Sequence, residues 1–453
     1  MTAHGFQPGP LGPRILPNIN QVSSRRTLGG KLDLGAARAL TDHGDVMKKY
    51  ALNSNFANQF NIGESGAQWT LAKGVTFSAG SGFYGIYESS GFQNNIFVIK
   101  GLVTSATQTG GGIYLGGTGD VVSIASSGTV KGSVSISLQG DDQTINNAGL
   151  LNGQISLGSG HYEIHNTGTI KSSFAGVIWS GNNVDFHNDG VIKAASTAVL
   201  LTNVTTEISL GDNSIIAGKY GISRQNDVGL DSTTINNGSL TGTTFSFSGD
   251  AGDEKLINHG KISGNISLYD GDDVFDNRGG VFAGEVRGGD GDDTFYVNSQ
   301  KITIAEYINA GDDIDKVYAN VSYALTTSYG VEKLFLLGSN NINGTGDNTD
   351  NAIVGNSGKN RLSGLHGDDV LTGKGGADEF VFADNFGDDT VTDFRNGVDK
   401  IDLSDCSDFS TFKALKAGHL TFESGGALIS NGDDTLFVAH LTKAQLDASD
   451  FIF

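Results

Sequence analysis

Three nine-residue blocks run without a gap from Gly355 to Val381: GNSGKNRLS, GLHGDDVLT and GKGGADEFV. Glycine opens each block and returns at the fourth position (Gly358, Gly367, Gly376). Asn or Asp holds the sixth (Asn360, Asp369, Asp378) and a large apolar residue the eighth (Leu362, Leu371, Phe380). A period this short has room for one tight turn and one brief strand per block, and glycine supplies the φ > 0 conformations that such a turn needs. One block buries nothing on its own. Stacked blocks share a continuous core, so the segment reads as a parallel β-roll.

The turn also has a chemistry. The eighth side chain fills the core, so carbonyl oxygens and the sixth-position carboxylate are left pointing into the gap between successive coils. A hard cation such as Ca2+ takes roughly six to eight oxygen ligands and tolerates irregular geometry. Candidate donors in the blocks that open at Gly364 and Gly373 are Gly364, His366, Asp368, Asp369, Gly373, Gly375 and Asp378, with Asp388 and Asp389 in the following FGDDTVTDF string. The nine residues before Gly355 keep Asn351 and Ile353 in phase and read as a degenerate first coil. An earlier block, GGDGDDTFY from Gly288, offers Asp290, Asp292 and Asp293. A looser copy from Leu268 (LYDGDDVFD) offers Asp273, and AGDDIDKV from Ala310 is ambiguous in phase between Asp313 and Asp315. The alternative for all of them is acidic surface turns without a metal.

The formal net charge is −21, which argues against a nucleic-acid partner because that needs a basic face. Much of the acid falls in GDD turns, where adjacent carboxylates repel one another unless a counter-ion intervenes. Ion binding and folding are therefore expected to be one event. A single cysteine, Cys406, rules out an intramolecular disulfide. No apolar run reaches the ~18 residues of a membrane helix, and the first residues lack the apolar core of a signal peptide.

A second repeat fills the middle of the chain. A glycine followed two residues later by an apolar residue recurs at Gly128, Gly149, Gly168, Gly190, Gly238, Gly260 and Gly279. Asn precedes six of these by two residues (Asn147, Asn166, Asn188, Asn236, Asn258, Asn277). Neighbouring copies lie 19 to 22 residues apart, apart from a 48-residue gap that fits two coils with a degraded copy near Asp212–Ile216. Short alternating runs between Asn/Gly turns indicate strands. A coil of about 20 residues is too short for a two-helix repeat and fits a parallel β-helix with an Asn ladder at one corner. A β-sandwich with regular turns is the alternative.

The reading is thus all-β: a flexible arm and a cap over 1–60, a parallel β-helix over 61–300, a connecting stretch over 301–345, a β-roll over 346–395 and a C-terminal cap over 396–453. Within the first segment, residues 31–60 carry helix formers at apolar spacing, and a helix or irregular segment is expected to cap the first coil.

Residues 346–453 resemble the C-terminal region of RTX (repeats-in-toxin) proteins exported by type I secretion. The resemblance rests on the nonapeptides, the TVTDF and GVDKIDLS strings and the terminal DFIF. The stretch 288–354 is similar to a linking module of large bacterial calcium-repeat proteins. The resemblance covers roughly 165 residues. It implies calcium at the sixth-position acids, an uncleaved C-terminal secretion signal read by a type I apparatus, and an extracellular location. It is silent on the first 287 residues. HExxH and GxSxG are both missing, so neither the zinc-protease nor the serine-lipase module of such proteins is present. Asn351 and Asn360 replace the acid at two sixth positions, which weakens the implied sites there.

Two functions remain open. The monotony of the repeats favours a calcium-stabilised structural protein of a surface layer, matrix or adhesin, with polysaccharide or further copies of itself as partner. The alternative is a polysaccharide-modifying enzyme, with Asp185, His187, Lys193 and Arg224, or His161, Glu163 and His165, as candidate residues. The histidines beside the Asn–Gly turns, His259 among them, are expected as stacked corner residues.

Overall fold

The computed structural model describes residues 37–40, 47–80, 82–105, 110–181, 184–203, 205–225, 229–306, 313–327 and 330–453. Its strands wind into a parallel β-solenoid of about 15 turns. One sheet of 21 strands runs nearly the whole length. A second sheet of 16 strands flanks it as far as Thr303–Ala305, and a third of six strands, beginning at Tyr323–Ala324, takes over for the last coils.

The core is a set of columns. On the long sheet Ile145, Ile164, Phe186 and Ile208 are successive register partners, and Leu256, Phe275, Phe295, Val317, Leu334, Ile353, Leu371 and Val391 continue the same inward line. All are buried. Strand alternation puts every second residue inside, and parallel stacking sets each above its equivalent.

The Asn positions form the expected corner ladder. Asn147 Nδ2 donates to Asn166 Oδ1 at 2.6 Å, and Asn166 donates to Asn188 at 2.6 Å. Asn236, Asn258, Asn277 and Asn298 repeat the pattern at 2.6–2.7 Å. The 48-residue gap holds two coils, because Val191–Ala194 pairs with Ile215–Gln225 and that strand pairs with Ser239–Ser248. In the degraded copy Ser214 Oγ takes the Asn position and accepts from Asn188 Nδ2 at 2.5 Å.

The helical expectation for 31–60 is corrected. Ala37–Leu40 and Lys48–Leu52 are antiparallel strands, and Lys48–Leu52 lies parallel on Ala67–Leu71 as the first rung. Leu52 is buried and Tyr50 stacks on Trp69 at 4.3 Å, so docking on the sheet overrides the local helix preference. Residues 1–36 and 41–46, with the expected arm, lie outside the described residues.

The strand register continues without interruption across residues 300 and 345. At the far end a three-stranded antiparallel unit (Leu420–Glu423, Gly426–Asn431, Asp434–Ala439) covers the long sheet by pairing with Asp388–Val391. The short helix Phe412–Gly418, N-capped by Thr411, precedes it. Phe451–Ile452 closes the third sheet against Lys400–Asp405. Leu420–Glu423 and the two-residue Phe451–Ile452 are thereby the last strands of their sheets at this end.

Candidate metal centre

In each roll coil the two nonapeptides face opposite ways. Arg361–Ser363 and Glu379–Ala383 lie on the third sheet, whereas Val370–Thr372 between them lies on the long sheet. The sixth-position residues consequently form two edges, Asn351–Asp369–Asp389 along one and Asn360–Asp378–Asp399 along the other. In both, a side-chain oxygen accepts from the backbone N–H one coil earlier at 2.7–2.9 Å.

The first edge extends far beyond the nonapeptides. Lys255, Val274, Thr294, Lys316, Lys333, Ala352, Val370 and Thr390 are successive register partners on the long sheet. The residues just before them are Glu254, Asp273, Asp293, Asp315, Glu332, Asn351, Asp369 and Asp389. Backbone N–H groups of Glu254, Asp273, Asp293 and Asp315 donate to the next carboxylate at 2.6–2.8 Å. One oxygen of each acid is thus satisfied. The other, Oδ2, has no hydrogen-bond partner in Asp273, Asp293, Asp369, Asp378 and Asp389, although all five residues are buried.

Asn351 and Asn360 show what that second atom faces. Their Nδ2 groups donate to the carbonyls of Val331 at 3.2 Å and Ile342 at 2.6 Å. Where Asp replaces Asn an oxygen takes the place of the donor, so it needs either a proton of its own or a cation beside it. Backbone carbonyls add to the oxygen set: a Cβ on Gly355 would stand 2.5 Å from Asn360 Oδ1 and 2.6 Å from the Gly373 carbonyl. Among the described residues no three His, Cys, Asp or Glu side chains converge to hold a metal ion, so a cation here would draw most of its ligands from backbone carbonyls and amides. Carboxylate, amide and carbonyl oxygens at coil-to-coil spacing are instead the donor set of a hard cation, and Ca2+ fits it.

Burial sets the electrostatics. It pushes the carboxyl of Asp273 up to about 10, Asp293 and Asp389 to about 8, Asp315 and Asp369 to about 7 and Asp378 to about 6, with like charges adding to the rise. For Asp378 burial is again the largest cause of the rise, and the Asn360 N–H and then Arg395, 3.9 Å from its Oδ2, hold it down. Where the ladder starts, the fold supplies its own cation: Arg224 Nη1 lies 3.3 Å from Glu254 Oε1, both side chains fully buried. From Asp273 to Asp389 none of the buried acids on this edge has an ion-pair partner among the described residues.

The remaining predicted ligands divide. Asp292, Asp368 and Asp388 form an exposed column beside the buried one and bond in the opposite sense, each backbone N–H donating to the carboxylate one coil earlier: Asp292 to Asp272 at 3.0 Å, Asp368 to Asp350 at 2.8 Å and Asp388 to Asp368 at 2.9 Å. Asp313 is half-buried and accepts from Gly291 N–H at 3.2 Å, and Asp290 is exposed. The ambiguity at 310–317 resolves in favour of Asp315 as the buried member. His366 turns its ring outward to the Asn385 carbonyl at 2.5 Å, leaving only its backbone to the turn, and Gly375 N–H donates to the Asn356 carbonyl at 3.2 Å.

Sequence reasoning missed Glu306 and Glu332, which sit in no glycine-rich block. Glu306 accepts from Gly288 N–H at 3.2 Å and Gly289 N–H at 2.8 Å, and burial pushes it up to about 10. A Cβ on Gly288 would stand 2.5 and 2.6 Å from its two oxygens and closer still to Asp293 Oδ2. Two buried carboxylates thus meet where only glycine leaves space. The available signal was a lone acid one coil after a GDD turn.

The enzyme candidates assemble only in part. Glu163 and Asp185 are register neighbours, as are His165 and His187, whose rings are 6.3 Å apart. Lys193 lies on the second sheet and Arg224 is buried against Glu254. Asp185 and His161 border an open groove of about 650 Å³ that also presents Glu207, Asp231, Asp253 and Asp272 against the single lysine Lys255. His259 Nδ1 is 3.1 Å from Asn237 Oδ1, beside the Asn ladder.

No family model matches the chain, and no curated protein does. Among solved structures it is similar to the extracellular lipase LipA from Serratia marcescens, at 16% identity and a TM-score of 0.22. The match covers 49% of this chain and 45% of that one. The chain therefore spans less than half of that lipase, and a superposition so partial carries no argument about function.

Proposed function

We propose that this chain is a secreted structural protein, a calcium-stabilised β-solenoid of a surface layer, matrix or adhesin, whose C-terminal half folds on meeting extracellular calcium. The observation that carries the reading is the set of five buried carboxylate oxygens without a hydrogen-bond partner, four along the long-sheet edge (Asp273, Asp293, Asp369, Asp389) and Asp378 on the opposite edge. Extracellular modules bind calcium at ~10⁻⁴–10⁻³ M, far above cytosolic levels, so a chain that needs the ion would leave the cell unfolded and fold outside. The tail resembling a type I secretion signal fits that route. A scaffold is favoured over a polysaccharide-modifying enzyme because the charged side chains lining the groove at Asp185 are mostly acids, which would repel an acidic polysaccharide, and its proposed basic partners lie elsewhere.

The test is a calcium titration followed by far-ultraviolet circular dichroism. Asp369→Ala combined with Asp378→Ala should raise the calcium midpoint for β-structure. An unchanged titration refutes the reading. Uronic-acid release from alginate or pectin that is abolished by Asp185→Asn would instead establish the enzyme.

A further inference from the structure

The column that carries the acid ladder begins near the other end of the molecule, in coils with no glycine-rich nonapeptide. Ile96, Val121 and Thr144 are successive register partners on the long sheet, and the residues just before them are Asn95, Asp120 and Gln143. The ladder bonds are the same as at the far end. Ala67 N–H donates to Asn95 Oδ1 and Asn95 N–H donates to Asp120 Oδ1, both at 2.9 Å. Glu88, at the end of the second-sheet strand Ile86–Glu88, reaches into this column as Glu306 does beside Asp293. Its Oε1 accepts from Asn95 Nδ2 at 2.6 Å. Gln143 Nε2 donates to Asp120 Oδ2 at 3.1 Å and to the Gly117 carbonyl at 2.9 Å.

Glu88, Asn95 and Asp120 are 0% exposed and Gln143 is 1%. Two oxygens there have no hydrogen-bond partner, Glu88 Oε2 and Gln143 Oε1. Glu88 Oε2, Asp120 Oδ2 and the Phe92 carbonyl all lie within 2.8 Å of the point where a Cβ on Gly117 would stand. Neither acid has a basic partner among the described residues, in contrast to Glu254 with Arg224. Two sealed carboxylates, one of them with an oxygen that has no donor, and a converging carbonyl form an oxygen cage that needs positive charge.

We infer that Glu88 and Asp120, with the Phe92 carbonyl, form a separate binding site for one hard divalent cation, which pins the N-terminal coils as the ladder pins the C-terminal ones. The competing arrangement is a proton shared between the two carboxyls, favoured by the burial that lifts Glu88 to about 8. A shared proton satisfies the carboxyl pair alone, whereas a cation would take both carboxylates and the Phe92 carbonyl that converges on the same point.

The experiment counts calcium on the full chain by equilibrium dialysis, comparing the unsubstituted protein with Glu88→Gln and with Glu88→Gln plus Asp120→Asn. Each variant should bind one equivalent fewer while keeping its β-sheet dichroism. An unchanged count overturns the inference in favour of the shared proton. Should the substitutions disturb folding, hydrogen exchange on the unsubstituted chain decides: the Asn95 and Asp120 amides lose protection in chelator if an ion sits there, and keep it if a proton does. Failure of the C-terminal ladder would lower the total count yet leave the difference of one in place, so the two ideas fail separately.

Discussion

Replacing Asp369 by Asn removes a buried charge while keeping its shape, and the consequence should reverse sign with calcium. Asp369 Oδ1 accepts from Asn351 N–H at 2.7 Å, a bond that an amide oxygen makes equally well, and Asn already occupies the equivalent positions at 351 and 360. Burial lifts the Asp369 carboxyl from 3.8 to about 7. Keeping it ionised at about pH 8 therefore costs on the order of 4 kcal/mol at ~1.4 kcal/mol per pH unit, an upper bound once the coil relaxes. In chelator at that pH, Asp369→Asn should be more stable than the unsubstituted chain by ~2–4 kcal/mol. In calcium that advantage should shrink by about 1.4 kcal/mol at tenfold the dissociation constant, and the order should invert once free calcium reaches roughly 100- to 1,000-fold, where a filled site is worth about 2.7–4.1 kcal/mol that the variant forfeits. Urea unfolding followed by circular dichroism in both conditions measures this directly. A variant that loses stability equally with and without calcium would refute the reasoning, because Asp369 would then serve only as a hydrogen-bond acceptor.

The same physics predicts a pH profile. The ladder acids bind protons more tightly in the folded chain than in the unfolded one, so in chelator stability is full below the ordinary carboxylate range and falls as pH climbs through about 6 (Asp378) towards about 10 (Asp273), an effect that thermal melts should show and saturating calcium should suppress. Arg224→Met leaves Glu254 buried without its countercharge and should cost ~3–5 kcal/mol in denaturant unfolding, with Glu254→Gln in the same chain restoring part of the loss. Asn166→Ala strips the acceptor from Asn147 Nδ2 and the donor from Asn188 Oδ1, and should cost ~2–4 kcal/mol regardless of calcium.

Much of this architecture was legible because repetition converts sequence spacing into spatial stacking. The Asn147–Asn166–Asn188 ladder and the two coils between Gly190 and Gly238 follow from coil length alone, and the sixth-position acids follow from the glycines that make the turn. Other features depend on which coils become neighbours. That Asp369 and Asp378 face opposite edges comes from two nonapeptides making one coil, a fact absent from the nine-residue period itself. Glu306 and Glu88 enter the acid column from a different sheet, so no local motif announces them. Arg224 looked like an exposed catalytic base-partner, but its place opposite Glu254 is set by register three strands away along the chain. At 31–60 local helix preference pointed the wrong way, because the open edge of the first rung offers Lys48–Leu52 more buried contact than an isolated helical turn would gain.

The most direct measurement is anomalous diffraction from crystals of the full chain grown in calcium. The account predicts ion peaks between coils beside the Oδ2 atoms of Asp293, Asp369, Asp378 and Asp389. Density at those places explained by water alone, with the coils stacked as described, would contradict it.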